Sequence, residues 1–137
     1  MMMVRGLMIG ATLTLAACGT GSGAGRSFDD PAVQQLFNMS TPQFFATTKI
    51  ANQVAQNCAR YRYDAILDAQ LNERRNEVGR GTLSARAIRD AIELESSVSE
   101  RGFTAKHGVE LTGADLCPAA DAETLQNTPL SAMLVPV

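Results

Sequence analysis

The sequence predicts an all-α fold: a long antiparallel helical hairpin with short N- and C-terminal helices. Three observations point there. From Phe44 to Ala69 small and apolar residues recur at steps of three, four and seven with no proline between them, which is helical spacing. Serine, aspartate and proline stand where helices start, and glycine where they stop. No stretch alternates apolar and polar residues as a half-buried strand would.

The elements follow in chain order. Asp30-Pro31 supplies an N-cap and a first-turn proline for a short helix ending near Phe37. Ser40 and Gln43 form a capping-box pattern, Met39 and Phe44 occupy the staple positions, and Pro42 falls in the tolerated first turn. A long helix is therefore expected from about Thr41 to Val78. Its apolar stripe is Phe44, Thr48, Ala51, Ala55, Cys58, Ala65 and Ala69, with Val54, Tyr61 and Ile66 beside it, and Gly79-Arg80-Gly81 stops it. Ser84 is the expected N-cap of a second long helix, with Leu83 and Ile88 as its staple and Ile88, Ala91, Ile92, Val98 and Ala105 on its buried face. It should end at Gly108, after Lys106 and His107, whose positive character suits a helix C-terminus. Thr112 to Leu116 reads as a turn. Pro118 starts a third helix ending near Gln126, Asn127-Thr128-Pro129 breaks it, and Leu130 to Val135 forms a last turn. A hairpin turning about residues 79–83 would set Arg62 against Glu100, Glu73 against Arg89 and Glu77 against Arg86. Such exposed pairs argue for register more than for stability.

The N-terminus carries a different message. Arg5 is the only charge in the first 25 residues, and Leu7 to Leu15 is a short, mostly apolar core. That core is too short to span a bilayer, which takes about 20 residues. Leu15-Ala16-Ala17-Cys18 follows, and then a glycine-rich run that would break a helix. The arrangement resembles a bacterial lipoprotein signal peptide with its lipobox. The resemblance implies that residues 1–17 are a signal peptide and that Cys18 is the acylated first residue of the mature chain. Membrane lipid is then its first partner. The chain is expected on the periplasmic face of the cell envelope, with the outer membrane favoured. Residues 18–27 read as the lipidated cysteine and a flexible tether, with an end-to-end distance of roughly 15–18 Å. Residues 28–137 form one small helical domain.

Without the leader, 11 basic residues face 14 acidic ones, a formal charge of −3. Nothing there steers the chain toward nucleic acid. Two cysteines remain, Cys58 and Cys117. An exported protein with an even number of cysteines invites a disulfide, which would staple the fold. A metal site is a poor alternative without accompanying histidines, and two buried thiols are the other. In the hairpin register Cys58 lies level with the end of the second helix, within reach of Cys117.

A second resemblance rests on the cysteine midway along the first long helix, Gly81-Thr82-Leu83-Ser84, Gly108-Val109 and Leu116-Cys117. This pattern is similar to small exported two-cysteine helical proteins of a domain family of unknown function. It spans residues 44 to about 135, and Pro118 departs from it. The resemblance implies a fold and an address, and no activity.

No catalytic set emerges. His107 is the only histidine and sits at a helix end, while Asp64 and Asp68 share a helix face without the Glu-x-x-His pattern of a carboxylate metal site. No metal site and no cofactor are expected, and the chain does not read as an enzyme. The arginine-rich tip over residues 73–90 is the one charged surface of interest, with Arg74, Arg75 and Arg80 as candidate contacts to anionic lipid or envelope polymer. Three function classes follow. The first is a structural or protein-interaction module meeting an unknown envelope protein through a helix face or the apolar C-terminus (Met133, Leu134, Val135). The second is a small inhibitor or immunity-type protein of the envelope. The third is a binder of an apolar ligand between helices.

Overall fold

The computed structural model describes residues 25–137. The expected signal peptide over residues 1–17, the expected acylation site Cys18 and residues 19–24 of the expected tether lie outside the described residues. The described chain is mostly helical: α1 (Pro31–Asn38), α2 (Thr41–Gln56), α3 (Ala65–Glu77), α4 (Thr82–Ala87), α5 (Arg89–His107) and α6 (Cys117–Leu125). A 3₁₀ turn, Leu130–Met133, follows, and two three-residue strands, β1 (Tyr61–Tyr63) and β2 (Leu134–Pro136), complete it.

The cap signals act as expected. The Asp30 side chain accepts from the backbone N–H of Ala32 at 2.8 Å, and Ser40 and Gln43 form a reciprocal capping box. Gly108 closes α5 in the left-handed conformation, at φ 67°, where a Cβ would be strained. Arg26, in the stretch expected as tether, binds Asp30 and Asn127 and donates to the Ser131 hydroxyl at 3.3 Å.

The expected helix over 41–78 is two helices. α2 stops at Gln56, and Asn57 folds back: its amide donates to the Gln53 carbonyl at 2.9 Å, while its own carbonyl accepts from the Leu116 N–H at 3.0 Å. Tyr61-Arg62-Tyr63 then pairs antiparallel with the C-terminal residues, Arg62 opposite Val135 and Tyr63 opposite Leu134. Asp64 restarts the helix by accepting from the Leu67 N–H at 2.9 Å. The break rotates the buried face. Ala65, Ile66 and Ala69, expected inside, are exposed, and α3 buries Leu67, Leu71 and Arg75 instead, at i, i+4, i+8.

The second long helix also differs. It starts at Thr82, breaks at Ile88 and buries Ser96 and Phe103; Ala91, Val98 and Ala105 face solvent. Leu83 is 78% exposed and staples nothing. Because the chain reverses twice, around 57–64 and again at 78–81, α2 and α5 run in the same sense. Thr41 lies beside Arg80, Lys49 beside Glu100 and Asn57 beside Leu111. The expected ion pairs do not form. Lys49, not Arg62, meets Glu100, at 2.7 Å, and neither Glu73 with Arg89 nor Glu77 with Arg86 makes an ion pair among the described residues.

α2 is the centre of the core, packed against α5, β1, α6 and the 3₁₀ turn. Phe44, Ala51 and Val54 of α2 are fully buried with Leu36, Leu71, Leu116 and Met133. Cys58, in the break rather than mid-helix, is bonded to Cys117 at the start of α6, with the Cα atoms 4.8 Å apart. The staple expected from the sequence is therefore present.

Candidate functional site

The C-terminal end of α5 faces α6, and its last basic residues are spent on one acid. Glu123 of α6 is only 4% exposed. Its Oε1 accepts from Lys106 Nζ at 2.7 Å and lies 2.6 Å from His107 Nε2, and Thr128 donates to Oε2. His107 packs against Phe103, the ring centroids 4.5 Å apart. Burial alone would raise the Glu123 carboxyl, but hydrogen bonds from Lys106, Thr128 and His107 outweigh it and hold the group below the usual carboxylate range. His107 thus closes α5 with its Nε2 held against Glu123.

Beside this cluster runs an open groove of about 260 Å³. Ile50 of α2, Phe103 of α5 and Met39, Pro129 and Leu130 give it an apolar lining, with Lys106 and Glu123 among its polar residues. A mostly apolar lining with a few polar groups is the layout of a small-ligand site, although the volume falls just below that of typical pockets.

The pH behaviour of Glu123 can be measured. A carboxylate whose folded value is depressed contributes stability above its unfolded pKa, near 4.5, and loses it as pH falls through the folded value. Urea midpoints of the wild type should therefore drop below about pH 4.5 more steeply than those of Glu123→Gln. At neutral pH that variant should be less stable by about 2 kcal/mol, the worth of hydrogen bonds to a charged acceptor. Asp68 acts with the opposite sign. Burial raises its carboxyl despite hydrogen bonds from Tyr63 and Asn72, so acid favours the fold there, and the comparison with Glu123→Gln separates the two.

The arginine candidates part company. Arg75 is fully buried, so it cannot touch an anionic surface. Its Nη1 donates to the carbonyls of Phe37 at 2.5 Å and Met39 at 3.0 Å, and its guanidinium lies 4.3 Å from the Phe44 ring centre. Phe37 lies in the last turn of α1 and Met39 is its C-cap, where carbonyls lack helical partners and a cation is favoured. Burial, then the nearby Arg80, lowers the Arg75 pKa, yet an arginine stays charged. Arg74 and Arg80 are exposed, with Arg74 stacked 3.9 Å over Phe28. No local sequence signal marks Arg75 as different from Arg74 and Arg80. The signal that was there is its i+4 spacing from Leu71, usable only once the helix break is known.

One further expectation is corrected. Met133, Leu134 and Val135 are at most 3% exposed, so the apolar C-terminus belongs to the core and is no contact surface. The Asp115 carboxylate and the Cys58 and Cys117 sulfurs lie within 4.8 Å of one another. With the sulfurs bonded, Asp115 instead accepts from the Cys117 N–H, at 2.9 Å. Among the described residues no helix is long and apolar enough to cross a membrane. The chain matches no known family model, and no curated protein or solved structure is significantly similar to it.

Proposed function

We propose that the chain is a lipid-anchored envelope protein without chemistry of its own, acting as an interaction module through the outer face of α5. The observation that carries the surface is Leu94, 67% exposed, with Val98 one turn on, 48% exposed. They stand on the side of α5 opposite the buried Ser96 and Phe103. A helix that covers its core with one face and keeps large apolar groups on the other has a face to spare. The inhibitor or immunity-type reading is a special case, with an envelope enzyme or toxin as the protein bound. The groove beside Glu123 favours the apolar-ligand reading, which stands second because the groove is open and small.

The anchor rests on Leu15-Ala16-Ala17-Cys18. Two or more acyl chains on one residue give stable membrane attachment, whereas one alone is marginal. Expression of the full chain in a bacterium should give a product that begins at Cys18, carries diacylglyceryl and acyl mass, and partitions into detergent. Cys18→Ala should shift it to the aqueous phase. Full-length, unmodified polypeptide in the cytosol would overturn the anchor. A photo-crosslinker at Leu94 should capture protein in intact cells while one at the exposed Ala59 does not; equal labelling would remove α5 as the contact.

A further inference from the structure

The outer face of α5 has more order than exposed apolar residues alone require. Ala91, Leu94, Val98, Arg101 and Ala105 recur at steps of three and four, and all five are exposed. This is the a/d spacing of a helix seam, about 21 Å long at 1.5 Å per residue. Asp90 borders the seam at its N-terminal end and Arg101 sits in it near the other. Neither has an ion-pair partner among the described residues. We propose that the occupant of this seam is a second copy of the chain, docked antiparallel α5 to α5 about a two-fold axis.

The charges select the orientation. Antiparallel pairing sets Leu94 of one copy against Val98 of the other. The Arg101 stem then lies over Ala91 of the second copy, with the guanidinium reaching its Asp90. The two-fold axis makes this contact twice. Parallel pairing would set Arg101 against Arg101 within the seam, and like charges there oppose association. The stripe is short, so the interface falls in the small, weak class, below about 1,200 Å² in total. Two copies held on one membrane would gain from high local concentration what the contact area lacks.

The proposal rests on the interaction reading of α5 and is independent of the lipid anchor. Sedimentation equilibrium of the full chain in mild detergent, from micromolar to millimolar, should show a monomer–dimer equilibrium. Asp90→Arg and Arg101→Asp should each weaken it roughly tenfold, because two attractive contacts become repulsive. Combining them should restore affinity to within about threefold, and Leu94→Asp should abolish dimers. Far-UV circular dichroism checks that each variant is folded. A monomer at every concentration, or association indifferent to the single charge changes, would overturn the proposal; the latter is what a parallel seam or another surface predicts. If the chain is monomeric while the crosslinker at Leu94 still captures a different protein, the self-docking fails and the interaction reading stands. If neither occurs, both fail.

Discussion

Arg75→Ala should lower the stability of the domain by about 4 kcal/mol, measured by urea denaturation at neutral pH, and should be among the most damaging single changes in the chain. Two effects add. The carbonyls of Phe37 and Met39 lose their donor, and a buried acceptor left without a partner costs about 1–3 kcal/mol. The vacated volume beside Phe44 and Leu71, both fully buried, is a cavity of the kind that costs about 2–5 kcal/mol for a large side chain. For a domain whose total lies near 5–15 kcal/mol, that leaves little. Two conservative variants identify the cause. Arg75→Met keeps most of the volume and removes the donors; it should lose about 2 kcal/mol. Arg75→Lys keeps the charge but not the planar fork that spans two carbonyls and Thr41, and it should fall between methionine and wild type. If Arg75→Met is as stable as wild type, the hydrogen bonds to the α1 terminus do not hold these helices together.

Local signals carried much of the fold, and non-local ones carried the rest. The caps at Asp30 and Ser40, the stop at Gly108 and the start near Pro118 depend on a few adjacent residues, and all sit where the sequence placed them. The break after Gln56 has no glycine or proline. Its cause is a partner more than 70 residues away: Tyr61-Arg62-Tyr63 becomes a strand because Leu134–Pro136 is there to pair with it. Aromatic and strand-prone residues followed by a capping aspartate were the available hint. A continuous helix would put Ile66 inside in place of Leu67 and Arg75 on the surface; the break shifts the phase of α3, and Arg75 is the largest fully buried side chain among the described residues. The buried face of α5 is set by a similarly non-local contact. Val98 and Ala91 have core composition, but the core takes Ser96 and Phe103, because α2 approaches from that side. The site around Glu123 was half legible: Lys106 and His107 at a helix end were marked, but the acid that unites them arrives from α6.

The Cys58–Cys117 disulfide accounts for the second large effect. The two residues are 59 apart in sequence, and the loop they close contains β1, α3, α4 and α5. In the chain-entropy model, closing a loop of that length stabilises the fold by roughly 4 kcal/mol. Both cysteines are nearly fully buried, so alanine is the fitting replacement, since it buries no unpaired hydroxyl. Cys58→Ala/Cys117→Ala should melt about 20 °C below wild type, taking about 5 °C per kcal/mol for a domain near this size. Reduction of the wild type should produce the same drop, and reductant should leave the double variant unchanged. The loss should also reach the groove. The bond fixes the start of α6 against the end of α2, where Leu116 donates to Asn57, and α6 in turn carries Glu123 to Lys106 and His107. In the double variant, proteolysis at low protease concentration should therefore begin in residues 109–128 while α2 remains protected. Cleavage first within α2, or a melting point within a few degrees of wild type, would show that packing at Leu116 and Met133 holds the C-terminal third without the bond.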